Sequence, residues 1–127
     1  MGAAARLPFT PRMVSSYWAY RRRDKSDFAR PPQIDVVAIN EDAHQVIVGE
    51  CKWTGSAMTA VEVNYFLGQC DKMLPWASES EKWTVTYAFF CRSGFAPEAR
   101  AAVGDRPCIW VDLKTLDTGL RRLARTE

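Results

Sequence analysis

Asp35, Glu50 and Lys52 are the residues of this chain whose types and spacing can do chemistry. They bracket a hairpin pattern: Ile34-Asp35-Val36-Val37-Ala38-Ile39 is β-rich, Asn40-Glu41-Asp42-Ala43-His44-Gln45 is polar, and Val46-Ile47-Val48-Gly49-Glu50-Cys51-Lys52-Trp53 is β-rich again. If Asn40 and Gln45 close the loop, Ile39 opposes Val46, Val37 opposes Val48 and Asp35 opposes Glu50. Lys52, two residues beyond Glu50, then points to the same face. Opposed side chains in such a ladder have Cβ atoms ~5 Å apart. Two carboxylates this near do not both ionise cheaply, so either one pKa rises or a cation sits between them. Lys52 supplies one positive charge, and a hard divalent ion (Mg²⁺ or Mn²⁺) held by Asp35 and Glu50 would supply more. Such an ion acidifies a bound water and neutralises charge developing on a phosphate oxygen. Lys52 would then orient the attacking water or contact the phosphate.

The elements around the hairpin are legible from periodicity. Both strands are apolar on both faces, which predicts a central position in a sheet covered on each side. Over residues 59–74 the period becomes helical, with Val63, Phe66, Leu67, Cys70, Met73 and Leu74 on one stripe and Glu62, Gln69 and Lys72 off it. Thr59 and Glu62 form a capping-box pattern at the start, and Pro75 ends the run. Residues 83–91 and 108–112 predict two further strands. Residues 97–103 predict a short helix opened by Pro97 and closed by Gly104. The last predicted helix, 115–125, carries Leu116, Leu120 and Leu123 on one side, with Arg121, Arg122 and Arg125 near its C-terminal end. Upstream, MVSSYWAYRR predicts one strand. The order is three strands, helix, strand, helix, strand, helix, so the expected fold is α/β with a mixed central sheet flanked by helices.

At 127 residues, 47% apolar and 25% charged, the chain fits one domain with a packed core. It divides into a basic N-terminal arm, residues 1–33, and a core, residues 34–127. The arm carries seven Lys or Arg against two Asp, while the whole chain is only +2. Arg21, Arg22 and Arg23 are its candidate nucleic-acid contacts. The apolar runs are too short for a spanning helix, and the first residues lack the apolar segment of a secretion signal. A soluble, cytoplasmic protein is expected, with no membrane partner. Cys51, Cys70, Cys91 and Cys108 have neither zinc-ligand nor redox spacing and read as reduced core residues. His44 falls in the hairpin loop and reads as a surface residue. Trp53, pointing away from the face of Lys52, reads as core packing. Asp112 and Glu98 have no partner that spacing identifies.

The string Ile34-Asp35, hairpin, Glu50-Cys51-Lys52 resembles the D…(D/E)XK motif of the PD-(D/E)XK nuclease superfamily, the restriction-endonuclease-like fold. The longer string IDVVAINEDAHQVIVGECKW is closer still to the uncharacterised C-terminal domain of archaeal and bacterial AAA/STAND-type ATPases, itself similar to that nuclease fold. The resemblance covers about residues 17–112. It implies that Asp35 and Glu50 are metal ligands, that Lys52 is the catalytic lysine, and that Gln69, on the rim of the next helix, matches a glutamine of Mrr-like and resolvase-like members. The implied activity is Mg²⁺- or Mn²⁺-dependent hydrolysis of DNA phosphodiesters. The implied partners are DNA, a parent or partner ATPase, and a second copy of the chain. The sequence departs from the family in lacking any glutamate before Glu41, where active members carry an acid on a helix ahead of the first strand. It also has no GxxxxGK[ST] phosphate loop, so an ATPase motor is not part of it. The alternative function is a non-catalytic DNA- or protein-binding module appended to an ATPase.

Overall fold

The structure is a computed structural model that describes residues 7–18, 33–73 and 83–126. Eight elements follow one another: β1 (Met13–Trp18), β2 (Gln33–Asn40), β3 (Gln45–Lys52), α1 (Ala60–Met73), β4 (Thr84–Cys91), α2 (Pro97–Ala102), β5 (Cys108–Val111) and α3 (Leu113–Thr126). The strands form one five-stranded sheet in chain order, β1-β2-β3-β4-β5. β1, β2 and β3 run antiparallel, whereas β3, β4 and β5 run parallel through helical crossovers. The expected mixed sheet flanked by helices is therefore observed. β1 belongs to the sheet, so the strand within the basic arm is an edge strand of the core. Arg21, Arg22 and Arg23 lie outside the described residues.

Alternation along β3 decides how the sheet packs. Val46 and Val48 are fully buried on one face, under Val63, Phe66, Leu67 and Cys70 of α1. Phe66 meets Phe89 of β4 edge-on at 5.5 Å between ring centroids, and Phe89 stacks on Trp110 at 4.6 Å. Arg100 of α2 closes this layer, its guanidinium 5.1 Å from the Trp110 ring. α1 starts as the sequence indicates. The Thr59 hydroxyl accepts from the Glu62 amide at 3.3 Å, and Glu62 Oε1 accepts from the Thr59 amide at 3.1 Å. α2 opens on Pro97, and Gly104 follows it at φ +58°, a left-handed conformation that suits glycine.

The opposite face differs from expectation. Ala38, Ile47 and Ala88 form a small buried cluster there with Phe9, Phe90 and Ile109. α3 begins two residues earlier than periodicity indicated, because Asp112 is its cap: the Asp112 carboxylate accepts from the Thr115 amide at 2.8 Å. That bond holds the Asp112 carboxyl below its usual range. α3 touches β5 and faces the sheet across an open space. Leu113, Leu116, Leu120 and Leu123 stay 41–62% exposed. Between Leu116, Leu120 and Leu123 and the sheet lies an apolar groove of about 700 Å³, floored by Ala38, Ile47 and Ala88. The hairpin is thus covered fully on one face and partly on the other.

Gly49 of β3 is closely packed. A Cβ there would come within 3.1 Å of Phe90 and 3.2 Å of Val36. Gly68, on the exposed side of α1, has nothing within 4 Å. Gly49→Val should therefore destabilise by about 1–3 kcal/mol through overpacking. Gly68→Ala should stabilise by about 0.5–1 kcal/mol by reducing backbone freedom of the unfolded chain. Urea unfolding of both variants checks the pair.

Candidate functional site

The hairpin register is the one the sequence indicates, from Asn40↔Gln45 through Ile39↔Val46 and Val37↔Val48 to Val36↔Gly49. The ladder ends there, short of the expected Asp35↔Glu50 pair, and the pairing of β2 changes. Ser15 of β1 pairs with Val37 and Tyr17 with Ile34, so two steps along β1 match three along β2. This is a bulge. Ile34 consequently joins the core with Val37, three residues away, while Val36 lines the groove on the other face. The extra residue falls at Asp35.

The bulge re-aims Asp35. Its Oδ2 accepts from the Cys51 amide at 2.9 Å, and its Oδ1 accepts from Gln33 Nε2 at 3.1 Å. The carboxylate thus stands beside the end of β3, in the position of a ladder acceptor. Glu50 follows Val46 and Val48 in alternation, so it faces α1. Its charge reaches Cys70 on that helix, whose thiol is raised by burial, by Asp71 and then by Glu50. Both carboxylates reach Cys51. Burial, then Asp35, then Glu50 push the Cys51 thiol up to about 11.

Lys52 shares the face of Glu50 and lies opposite Cys91 in the parallel ladder. Its ammonium reaches forward to the start of α1, 2.6 Å from Glu62 Oε1 and 3.3 Å from the Ala57 carbonyl. Partial burial raises the Glu62 carboxyl, but hydrogen bonds from Lys52 and Thr59 outweigh it and hold the group below the usual glutamate range. The capping pattern located Glu62 in the sequence. Its contact with Lys52, ten residues away, needed the β3–α1 turn to exist.

Gln69 is buried, 6% exposed, and does not sit on a rim. It lies seven residues, two helical turns, after Glu62 and so on the same flank of α1. The other flank carries Asp71, which holds Arg106 in a two-pronged pair at 2.9 and 3.1 Å. Arg106 also donates to the Tyr87 hydroxyl at 2.9 Å, so that flank faces β4, while Glu62 on the other flank meets Lys52 of β3. Asp35, Glu50 and Lys52 thus stand at one end of the β2–β3 pair, while Gln69 is buried further along α1.

Three other expectations change. Cys51 is exposed, because its side chain leaves the face opposite Glu50; Cys70 and Cys91 are buried and Cys108 is half-buried, and all four are free thiols. Trp53 is 51% exposed, just past the end of β3 at Lys52. His44 is a surface loop residue as expected, at φ +52°, with its ring 5.3 Å from that of Trp83.

As for a metal, Asp35 and Glu50 offer hard oxygen donors. Among the described residues no group of three or more His, Cys, Asp or Glu side chains gathers to hold an ion. A two-carboxylate site fits Mg²⁺, which typically keeps several waters and completes its shell with phosphate oxygens. Among the described residues no helix is long and apolar enough to cross a membrane.

The raised Cys51 thiol gives a direct check of this geometry. At pH 8 it should alkylate roughly a hundredfold more slowly than an unperturbed thiol, because few molecules carry the thiolate. Asp35→Asn removes one negative charge and should speed the reaction. Iodoacetamide labelling read by peptide mass spectrometry measures both rates.

Two likenesses bear on this fold. No curated protein matches the chain. A solved crystal structure, the protein of unknown function AF1548, is similar over 74% of this chain with a TM-score of 0.54 and 18% identity. The match covers 50% of that protein, so the chain spans about half its length. At this identity the likeness is one of fold. Residues 1–64, which take in β1, the hairpin with Asp35, Glu50 and Lys52, and the first turn of α1 with Glu62, match the family DUF234, described as archaeal and bacterial proteins of unknown function; the chain belongs to that family.

Proposed function

We propose that this chain is a metal-dependent nuclease-like domain of the PD-(D/E)XK kind, hydrolysing DNA phosphodiester bonds. The observation that carries the reading is the convergence of Asp35, Glu50 and a tethered Lys52 at one end of the central hairpin. Asp35 and Glu50 would hold Mg²⁺ or Mn²⁺, which supplies an acidified water and neutralises charge on the phosphate. The Lys52 ammonium, a compact point charge, would contact a phosphate oxygen or orient the attacking water. Asp35 keeps its position through the Cys51 amide, so its carboxylate needs little reorganisation on loading. Arg21, Arg22 and Arg23 would contact flanking phosphates, giving the salt dependence of counterion release.

A second reading has its own observation. The apolar groove beside α3, with four partly exposed leucines along it, suits a domain that docks a protein partner, such as a parent or partner ATPase or a second copy. In that reading DNA or protein binding survives loss of Asp35.

Calorimetric titration with Mg²⁺ and Mn²⁺ separates the two. The nuclease reading expects roughly millimolar or tighter binding that Asp35→Ala abolishes, and metal-supported cleavage that Lys52→Ala abolishes. A chain that binds neither ion and leaves duplex, branched and single-stranded DNA intact overturns it in favour of the module.

A further inference from the structure

We propose that Glu62 is the positioning residue for Lys52: it holds the ammonium in place at the start of α1 with one N–H donor left for a phosphate oxygen. The inference rests on the nuclease reading for its catalytic consequence, and on geometry alone for the holding.

The geometry is specific. One oxygen, Glu62 Oε1, accepts from Lys52 Nζ at 2.6 Å, from the Thr59 amide at 3.1 Å and from the Thr59 hydroxyl at 3.1 Å. The second acceptor of Lys52 is the Ala57 carbonyl. An ammonium has three donors, so two fixed acceptors leave one. Lys52 and Glu62 side chains are 18% and 38% exposed, so the lysine is mostly covered yet still reachable from solvent. The segment that carries both acceptors is itself pinned. Ser93 Oγ donates to the Thr54 carbonyl at 2.8 Å and the Cys91 thiol donates to the Ser56 carbonyl at 3.6 Å. Met58, 1% exposed, exchanges backbone bonds with Gly94 and Ala96 at 3.0 Å each. A lysine on a flexible four-carbon stem is thereby confined by rigid neighbours. Glu62 does not join Asp35 and Glu50 in a metal-holding group, so its influence passes through Lys52.

A helix cap alone would explain the Thr59 contacts but would not require a carboxylate. Glutamine serves the same position of a capping box. Glu62→Gln therefore keeps the cap and removes the charge that binds Lys52, separating the two roles. The experiment measures three things on the full chain: melting temperature, acetic anhydride labelling of Lys52 read by mass spectrometry, and cleavage of DNA with Mg²⁺ or Mn²⁺. The expected result for Glu62→Gln is an unchanged melting temperature and Lys52 labelling about fivefold or more faster, given the strength of a charge-assisted bond. Cleavage should fall about ten- to hundredfold, the scale of a misplaced catalytic group.

Unchanged labelling overturns the proposal, and so does a Glu62→Gln variant that cleaves at the unmodified rate. If the unmodified chain does not cleave DNA while labelling of Lys52 still rises in Glu62→Gln, the nuclease reading fails and the holding role stands. Should Glu62→Gln not fold, the unmodified chain decides. Its Lys52 ammonium should give slowly exchanging ¹⁵N-bound proton signals at low temperature, and fast exchange there overturns the proposal.

Discussion

Burial of one face of β3 beneath α1 is the constraint on which the rest depends. Val46 and Val48 must point into the layer built by Phe66, Cys70 and Phe89, and strand alternation then carries Glu50 and Lys52 to that same face. Two charged groups consequently stand at the edge of an apolar core, where charge interacts more strongly than in bulk water. The return from β3 through α1 to parallel β4 brings the first turn of the helix over the end of the strand it has just left. Lys52 and Glu62 meet because of this return.

The bulge in β2 is the second determinant. A regular strand would place Ile34 and Val37 on opposite faces, yet both are needed in the core. One extra residue reconciles them, and Asp35 is the residue displaced. Its carboxylate takes the Cys51 amide, so the backbone irregularity satisfies its own donor and leaves the acid at the strand end.

The two faces of the sheet serve different ends. The α1–α2 face is closed by aromatic stacking and by the Asp71–Arg106–Tyr87 network, which ties helix, loop and strand together. The α3 face leaves an apolar groove with leucines along its border, a surface whose burial would add to whatever the carboxylate end contributes.

Local and short-range features were legible in the sequence by itself. The hairpin register from Asn40↔Gln45 to Val37↔Val48 follows from closing the short polar loop at Asn40 and Gln45, the Thr59–Glu62 capping box from spacing, and the mixed sheet from the order of elements, because each depends on residues near one another in the chain. Tertiary structure decided what depends on elements far apart. The β2 bulge arises from pairing with β1 about twenty residues upstream, and Gln69 is buried and Trp53 exposed according to which neighbours pack over them. Asp112 became a helix cap where α3 turns off β5. The hold of Glu62 on Lys52 came last, since a pair ten residues apart meets only when helix and strand fold back against each other.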